Sequence, residues 1–280
     1  MTRLQATGLT LAYESRVVAE HLSVAIPDNS FTVIVGPNAC GKSTLLRALA
    51  RMIRPREGVV HFDGAALTDY RPKELARKLG MLPQSPTAPD GISVAELVGR
   101  GRYPHQKLLR QWSPADERAV ADAMAATDVA GLADRPVAEL SGGQRQRVWL
   151  AMALAQETDV LLLDEPTTFL DITHQLEVLD LCDDLRSAGR TLVVVLHDLN
   201  HACRYASHLV AMRDGAVVAQ GTPGEVVDAD LVRGVFGLAS RVVPDPVTGT
   251  PLVVPERRER RVECGPDHPS AGAKGSLTIV

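Results

Sequence analysis

The stretch FTVIVGPNACGKSTLLRALA, residues 31–50, constrains this chain more than any other. Residues 31–35 are apolar and rich in aromatic and β-branched side chains, which predicts a short buried strand. Gly36-Pro37-Asn38 ends it, and a helix is expected over about 42–50. Between the two, GPNACGKST fits G-x-x-x-x-G-K-[ST] in the strand-to-helix context the motif requires. Backbone N–H groups of such a loop converge on phosphate oxygens, and the positive end of the following helix adds to their pull. Lys42 then sets its charge against the β- and γ-phosphates, and the Ser43 hydroxyl ligates Mg²⁺. Gly36, Pro37, Asn38, Ala39, Cys40, Gly41, Lys42, Ser43 and Thr44 therefore form the candidate nucleotide site. Ala39 lacks glycine's freedom at positive φ, so its backbone is expected in an ordinary region. Cys40 reads as a small filler or, alternatively, as a thiol whose pKa the helix N-terminus lowers.

The rest of the chain supports an α/β core. VVHFDG predicts a strand closed by an Asp63-Gly64 turn, a helix is expected around 72–78, and GMLPQ predicts another strand. From about Ser93 to Glu157 the pattern turns helical. Ser93 and Glu96 make a capping box, and Ser113-Pro114 opens a second helix. Strands return in DVLLLDEP, TLVVVLHD and HLVAMRDGAVVAQG, the last a hairpin across Asp214-Gly215, with a helix at 172–186 between the first two. Their near-continuous apolar runs predict a parallel sheet covered on both faces. After Pro244, proline, glycine and charge dominate, so residues 256–280 are expected as a disordered tail. Its RRERR run reads as a solvated segment, with an anionic membrane surface as the alternative.

Two further acids end a strand. Asp164, after VLLL, suits a role in supporting Mg²⁺, through water, and Glu165 is placed to polarise a water against the γ-phosphate. His197 ends the next strand, so it should emerge at the same sheet edge and touch that phosphate. His197 and His201 also have the i, i+4 spacing of metal ligands, but no glutamate completes a zinc motif. A second glycine pair, in LSGGQRQR at 140–147, resembles another phosphate cradle. Serine followed by glycine is also helix-capping chemistry, though capping alone does not call for Gly-Gly-Gln.

Composition narrows the function. With 30 basic and 34 acidic residues the net charge is −4, which argues against a general nucleic-acid binder. The four cysteines are scattered without a CxxC pair, so neither a disulfide framework nor a zinc site is expected. No apolar run approaches the roughly 18 residues of a spanning helix, and no apolar signal segment opens the sequence. The protein reads as soluble and intracellular.

GPNACGKST, Gln84 in LPQ, LSGGQ, VLLLDEP, Leu170-Asp171 and His197, in that order, resemble the nucleotide-binding subunit of ATP-binding-cassette (ABC) transporters over roughly residues 1–250. The resemblance implies a P-loop NTPase of ABC type: a RecA-like mixed sheet, an N-terminal antiparallel β part and a helical subdomain inserted at about 91–157 of a 1–255 domain. It implies that Tyr13 stacks on adenine, and that Gln84 senses Mg²⁺ and the attacking water. Asp171 would communicate across a dimer. Two copies of the chain would pair head to tail, so that Ser141, Gly142, Gly143 and Gln144 face the ATP held by the partner's P-loop.

The same resemblance separates functional classes. DNA-repair relatives insert long coiled coils between the two phosphate-site motifs, and translation factors carry two cassettes. Neither feature is present, so a transport ATPase is expected over a soluble ABC ATPase. Intact Glu165 and His197 disfavour a regulator without turnover. GRGRYPHQ at 99–106 and DEPTTFLDITHQLEVLDL at 164–181 resemble importers of iron–siderophore complexes, with haem and cobalamin importers as relatives. Two separate membrane-spanning permease subunits, a substrate-binding protein acting indirectly, and a place on the cytoplasmic face of the membrane follow. GRGRYPHQ would lie where a permease coupling helix docks. Read physically, Arg100, Arg102, His105 and Lys107 are also consistent with a solvated basic loop.

Overall fold

The computed structural model describes residues 2–106 and 112–256. Two long alternating strands open the chain, β1 (Thr2–Tyr13) and β2 (Arg16–Pro27), paired antiparallel. Then comes β3 (Phe31–Val35), buried at every position, followed by the phosphate-loop segment and α1 (Lys42–Leu49). Next are β4 (Glu57–Phe62) and the two-residue β5 (Ala65–Ala66), joined across Asp63-Gly64. Both turn residues have positive φ, 49° and 80°, the twist that a two-residue hairpin needs. A four-residue α2 (Pro72–Leu75) is shorter than the sequence suggests, and β6 (Leu79–Leu82) follows it.

Between β6 and the next strand the described chain is helical: α3 (Val94–Gly99), α4 (Pro114–Ala126) and α5 (Gly142–Ala155). Ser93 and Ser113 begin the first two with complete capping boxes, using Glu96 and Asp116 as partners. Then β7 (Val160–Asp164), α6 (Ile172–Ser187), β8 (Thr191–Val195) and α7 (Leu199–Tyr205) alternate. β9 (His208–Arg213) and β10 (Ala216–Gly221) form the hairpin across Asp214-Gly215, and α8 (Pro223–Val226) and α9 (Ala229–Phe236) follow. The described chain closes with β11 (Ser240–Pro244) and β12 (Pro251–Pro255), an antiparallel pair that the sequence reading did not single out. The expected tail lies outside the described residues from 257 onward.

The central sheet runs β10-β9-β3-β8-β7-β6, parallel except for the β10 edge, and a four-stranded antiparallel sheet runs β2-β1-β4-β5. β3, β7 and β8 are fully buried because both faces of the central sheet are covered. Their alternating side chains feed two cores. Val33, Leu161, Leu163 and Val194 pack with the helices, including Leu97, Trp149 and Leu179. Ile34, Leu162, Val193 and Val210 face Leu45 and Leu49 of α1 and Leu9 and Ile26 of the antiparallel sheet. The C-terminal ends of the parallel strands converge on one edge, where ligands gather in open α/β sheets.

One expectation for the helical region does not hold. Arg102 is not part of a solvated loop: it is 4% exposed. Its Nε donates to Asp116 at 2.8 Å, and Nη1 donates to the Ala155 carbonyl at 2.7 Å and to Glu157 at 2.6 Å. A guanidinium offers several donors in a fixed fork, so one side chain can tie three helix ends together. His105 contacts the Gln156 carbonyl at 2.8 Å, while Lys107 lies outside the described residues.

Candidate nucleotide site

The loop between β3 and α1 borders an open cleft of about 650 Å³ that Tyr13, Asn38, Lys42, Gln84, Glu165 and His197 also line. Gly36 fits where no other residue would: an added Cβ would lie 2.2 Å from the Met212 carbonyl oxygen and 2.9 Å from Cys40 Sγ. Ala39 departs from the expectation of an ordinary backbone, because its φ is +62°. The left-handed region costs a non-glycine residue roughly 1–2 kcal/mol. The loop must nonetheless turn there to start α1 from Gly41, itself left-handed at φ 105°. Lys42 is 5% exposed, and its Nζ donates to the Gly36 and Pro37 carbonyls at 2.8 and 2.9 Å, which draws the ammonium across the loop.

Cys40 is a buried filler rather than an activated thiol. Burial pushes its pKa up, and the nearby Lys42 charge only partly offsets that. The Gly215 N–H donates to the Cys40 carbonyl at 3.0 Å, tying the loop to the β9–β10 turn.

At the edge of β7, Ser43 Oγ donates to Asp164 Oδ1 at 2.9 Å. Asp164 is fully buried, and burial raises its pKa; the Ser43 hydrogen bond and the charges of Arg47 and Lys42 offset part of this, while Glu165 adds to it. Its other oxygen, Oδ2, is buried without a partner in the protein. An orphaned carboxylate oxygen beside a serine hydroxyl suits a hydrated divalent cation, since both are hard oxygen donors. These residues therefore fit Mg²⁺. Next in the chain, Glu165 turns its backbone to φ 54°. Its Oε2 accepts from Gln84 Nε2 at 2.7 Å, and its Oε1 lies 2.6 Å from His197 Nε2. Three residues distant in sequence thus meet on one carboxylate. Among the described residues no group of three metal-type side chains surrounds His197 and His201.

Tyr13 sits at the end of β1, 39% exposed, and its hydroxyl accepts from Arg47 Nη1 at 3.2 Å. The same cleft includes Arg16, Val17 and Val18 on β2, which sequence reasoning did not single out. Nothing local marks them; β1–β2 pairing carries them there.

Ser141, Gly142, Gly143 and Gln144 are elsewhere. They border a second cleft of about 440 Å³ with Arg147, Phe169, Asp171 and His174, which has no residue in common with the first. Ser141 caps α5: its Oγ accepts from the Gln144 N–H at 3.2 Å, and Gln144 Oε1 accepts from the Ser141 N–H at 3.1 Å. Capping therefore explains the glutamine of Gly-Gly-Gln, contrary to expectation, because it closes a capping box. It does not explain the glycines, which leave the helix entrance bare. Asp171 caps α6, accepting from the His174 N–H at 2.9 Å, and backbone and side-chain bonds from His174 hold its pKa low. Gln146, also missed, is 7% exposed and donates to the Pro166 carbonyl at 3.1 Å, linking α5 to the segment just after Glu165. Only the fold brings that pair together.

A parallel α/β sheet with a phosphate loop at one end, and a buried acid pair beside it, defines a nucleoside-triphosphate-binding protein of the P-loop class. The profile of the family described as "ABC transporter" matches residues 19–168. The ferric enterobactin transport ATP-binding protein FepC of Escherichia coli (strain K12) is 56% identical over 256 residues, covering 91% of this chain and 94% of that protein. The probable siderophore transport system ATP-binding protein YusV of Bacillus subtilis (strain 168) is 52% identical, covering 93% and 95%. Among solved structures, an inward-facing putative metal-chelate type ABC transporter superposes with a TM-score of 0.77 at 26% identity, covering 91% of this chain and 98% of that one. A dimeric bacterial ABC transporter cassette, MJ0796, gives 0.71 at 26% identity, covering 78% and 98%. This chain belongs to the ABC transporter family, as one of its ATPase subunits.

Proposed function

We propose that this chain hydrolyses ATP to power import of iron–siderophore complexes through separate permease subunits at the cytoplasmic face of the membrane. The observation that carries the ATPase reading is the Glu165 carboxylate, held between Gln84 and His197 beside the phosphate loop. The cargo reading rests on FepC and YusV, which are similar along most of their length and named for ferric enterobactin transport and for siderophore transport. Among the described residues no helix is long and apolar enough to cross a membrane; in this reading separate permease subunits span it.

In this reading the loop N–H groups and the α1 N-terminus take the triphosphate, Lys42 adds its charge at the β- and γ-phosphates, and Tyr13 stacks on the adenine. Ser43 and Asp164 hold Mg²⁺, with Gln84 nearby, and the ion neutralises phosphate charge when bound. Glu165 orients a water and accepts its proton as the water oxygen bonds to the γ-phosphorus and ADP leaves. His197 touches the γ-phosphate and, with Gln84, fixes the carboxylate. The second cleft is the other half of the partner's site: a homodimer sets Ser141, Gly142, Gly143 and Gln144 of one copy against the ATP of the other, and Asp171 lies at that junction. The GRGRYPHQ face then serves the permease.

Glu165→Gln tests this. A positioned base contributes about 10²–10⁴-fold. The variant should bind ATP as wild type does, lose turnover by at least roughly 10²-fold, and accumulate ATP-dependent dimers in sedimentation. Near-normal hydrolysis would remove Glu165 from its role.

A further inference from the structure

His197 stands in the three-residue link from β8 to α7, and the α7 end of that link is fastened by the C-terminal hairpin. Asp198 caps α7, accepting from the Asn200 and His201 N–H groups at 2.8 and 2.9 Å. Asn200 then reaches out of the helix to β12. Its Nδ2 donates to the Val253 carbonyl at 3.2 Å, and its Oδ1 accepts from the Val253 N–H at 2.8 Å. One primary amide thus exchanges both bonds with one residue, as a paired residue does in an antiparallel ladder. Only this orientation of the amide satisfies both groups.

Two other contacts make the hairpin a fixed anchor. Arg204, on the same helix, pairs with Asp245 at 3.1 Å, and Asp245 closes the β11–β12 turn by accepting from the Val247 and Thr248 N–H groups. Val253 is buried in the same core as Ala202 and Cys203 of α7.

We infer that Asn200 is a positioning residue for His197, and that the β11–β12 hairpin, through Val253, sets where the imidazole meets Glu165. The inference rests on the ATPase reading above. Asp198 keeps the first turn of α7 intact, and Asn200 ties that turn to β12, which restrains the link that sets the His197–Glu165 distance of 2.6 Å. Released from β12, the link can relax, and misplacement of about 1 Å in such a group can cost up to about 10²-fold in rate. ATP binding would be spared, because Asn200 does not line the nucleotide cleft.

The test is a double-mutant cycle on the full chain, with steady-state phosphate release read as kcat and KM for ATP. Asn200→Ala should lower kcat on the order of tenfold and leave KM within about twofold. Asn200→Asp keeps the acceptor but sets a carboxylate against the Val253 carbonyl; it should show the same split, which keeps the test alive if the alanine variant misfolds. In a His197→Ala background neither substitution should lower kcat further. An equal loss in both backgrounds, or a loss that appears only in KM, would overturn the role of Asn200 while leaving the ATPase reading intact. A His197→Ala protein with wild-type kcat would instead overturn the assignment of His197, and this inference with it.

Discussion

Arg102→Ala should be among the most destabilising single substitutions in the helical region. The guanidinium ties the residues following α3 to the first turn of α4 and the end of α5 through Asp116, the Ala155 carbonyl and Glu157. The Glu157 side chain is 53% exposed, so that arm is screened and contributes little. Asp116 is different: its side chain is 8% exposed. Burial alone would raise its pKa, yet hydrogen bonds from Ser113 and Arg102, together with the Arg102 charge, hold it below the ordinary range. Breaking a buried pair by removing one partner costs about 3–5 kcal/mol. Ser113 still donates to Asp116 from its N–H and hydroxyl, which places the loss near the lower end, about 3 kcal/mol. At roughly 2–4 °C per kcal/mol for a chain of this size, the melting temperature should fall by about 6–12 °C. Urea unfolding of Arg102→Ala, Asp116→Ala and the double variant would measure it. A loss below about 1 kcal/mol, or strict additivity in the cycle, would refute the reasoning.

Two more outcomes are expected, one from the proposed dimer and one from the titratable groups. In the proposed head-to-tail dimer, mixing subunits lacking Lys42 with subunits carrying Ser141→Arg would leave ATP held in the second by an intact loop facing the first subunit's intact Ser141. Such mixtures should regain activity that neither variant has alone; a purely local capping role predicts no complementation. The pH dependence has two opposing contributions. Asp116, Asp171, Asp245, Glu96 and Glu225 have pKa values below their ordinary 3.8 or 4.5, held there mainly by backbone and side-chain hydrogen bonds that outweigh burial. A depressed folded pKa gives stability that is present above the unfolded value and lost as pH falls through the folded one. Asp164, raised by burial, is the reverse: its cost is present above its folded pKa and disappears on acidification. Melting curves from neutral pH to about pH 3 should therefore show a net fall, and Asp164→Asn should melt higher than wild type at neutral pH but not at the acid end.

Local signals were the legible ones. FTVIV, the glycine-bounded loop and the helix after it could be read because strand, turn and helix chemistry all agree within twenty residues. The Asp63-Gly64 and Asp214-Gly215 hairpins and the Ser93 and Ser113 caps were equally readable, each being fixed by its own few residues. What escaped depends on distance. Gln146 and Pro166, and Asn200 and Val253, meet only after the sheet is assembled. The β11–β12 hairpin was hidden by prolines, which here occupy strand ends, where a missing N–H does least harm. Ala39 defied its intrinsic preference because the loop imposes the conformation, and Arg102 defied its charge because three acceptors converge on it.

The order of the central sheet carries a consequence for how the candidate site can vary. Gln84, Glu165 and His197 lie one or two residues past the ends of β6, β7 and β8, three neighbouring strands. Adjacent strands are about 4.7–4.9 Å apart, so the sheet acts as a ruler whose marks bring two side chains to either side of one carboxylate. A changed side chain removes one contact and leaves the ruler intact. A one-residue slip of β7 would exchange the faces that Asp164 and its neighbours present and would move Glu165 off its mark. The chemistry beside the phosphate loop is therefore tuned residue by residue, but its spacing belongs to the backbone and changes only with the fold.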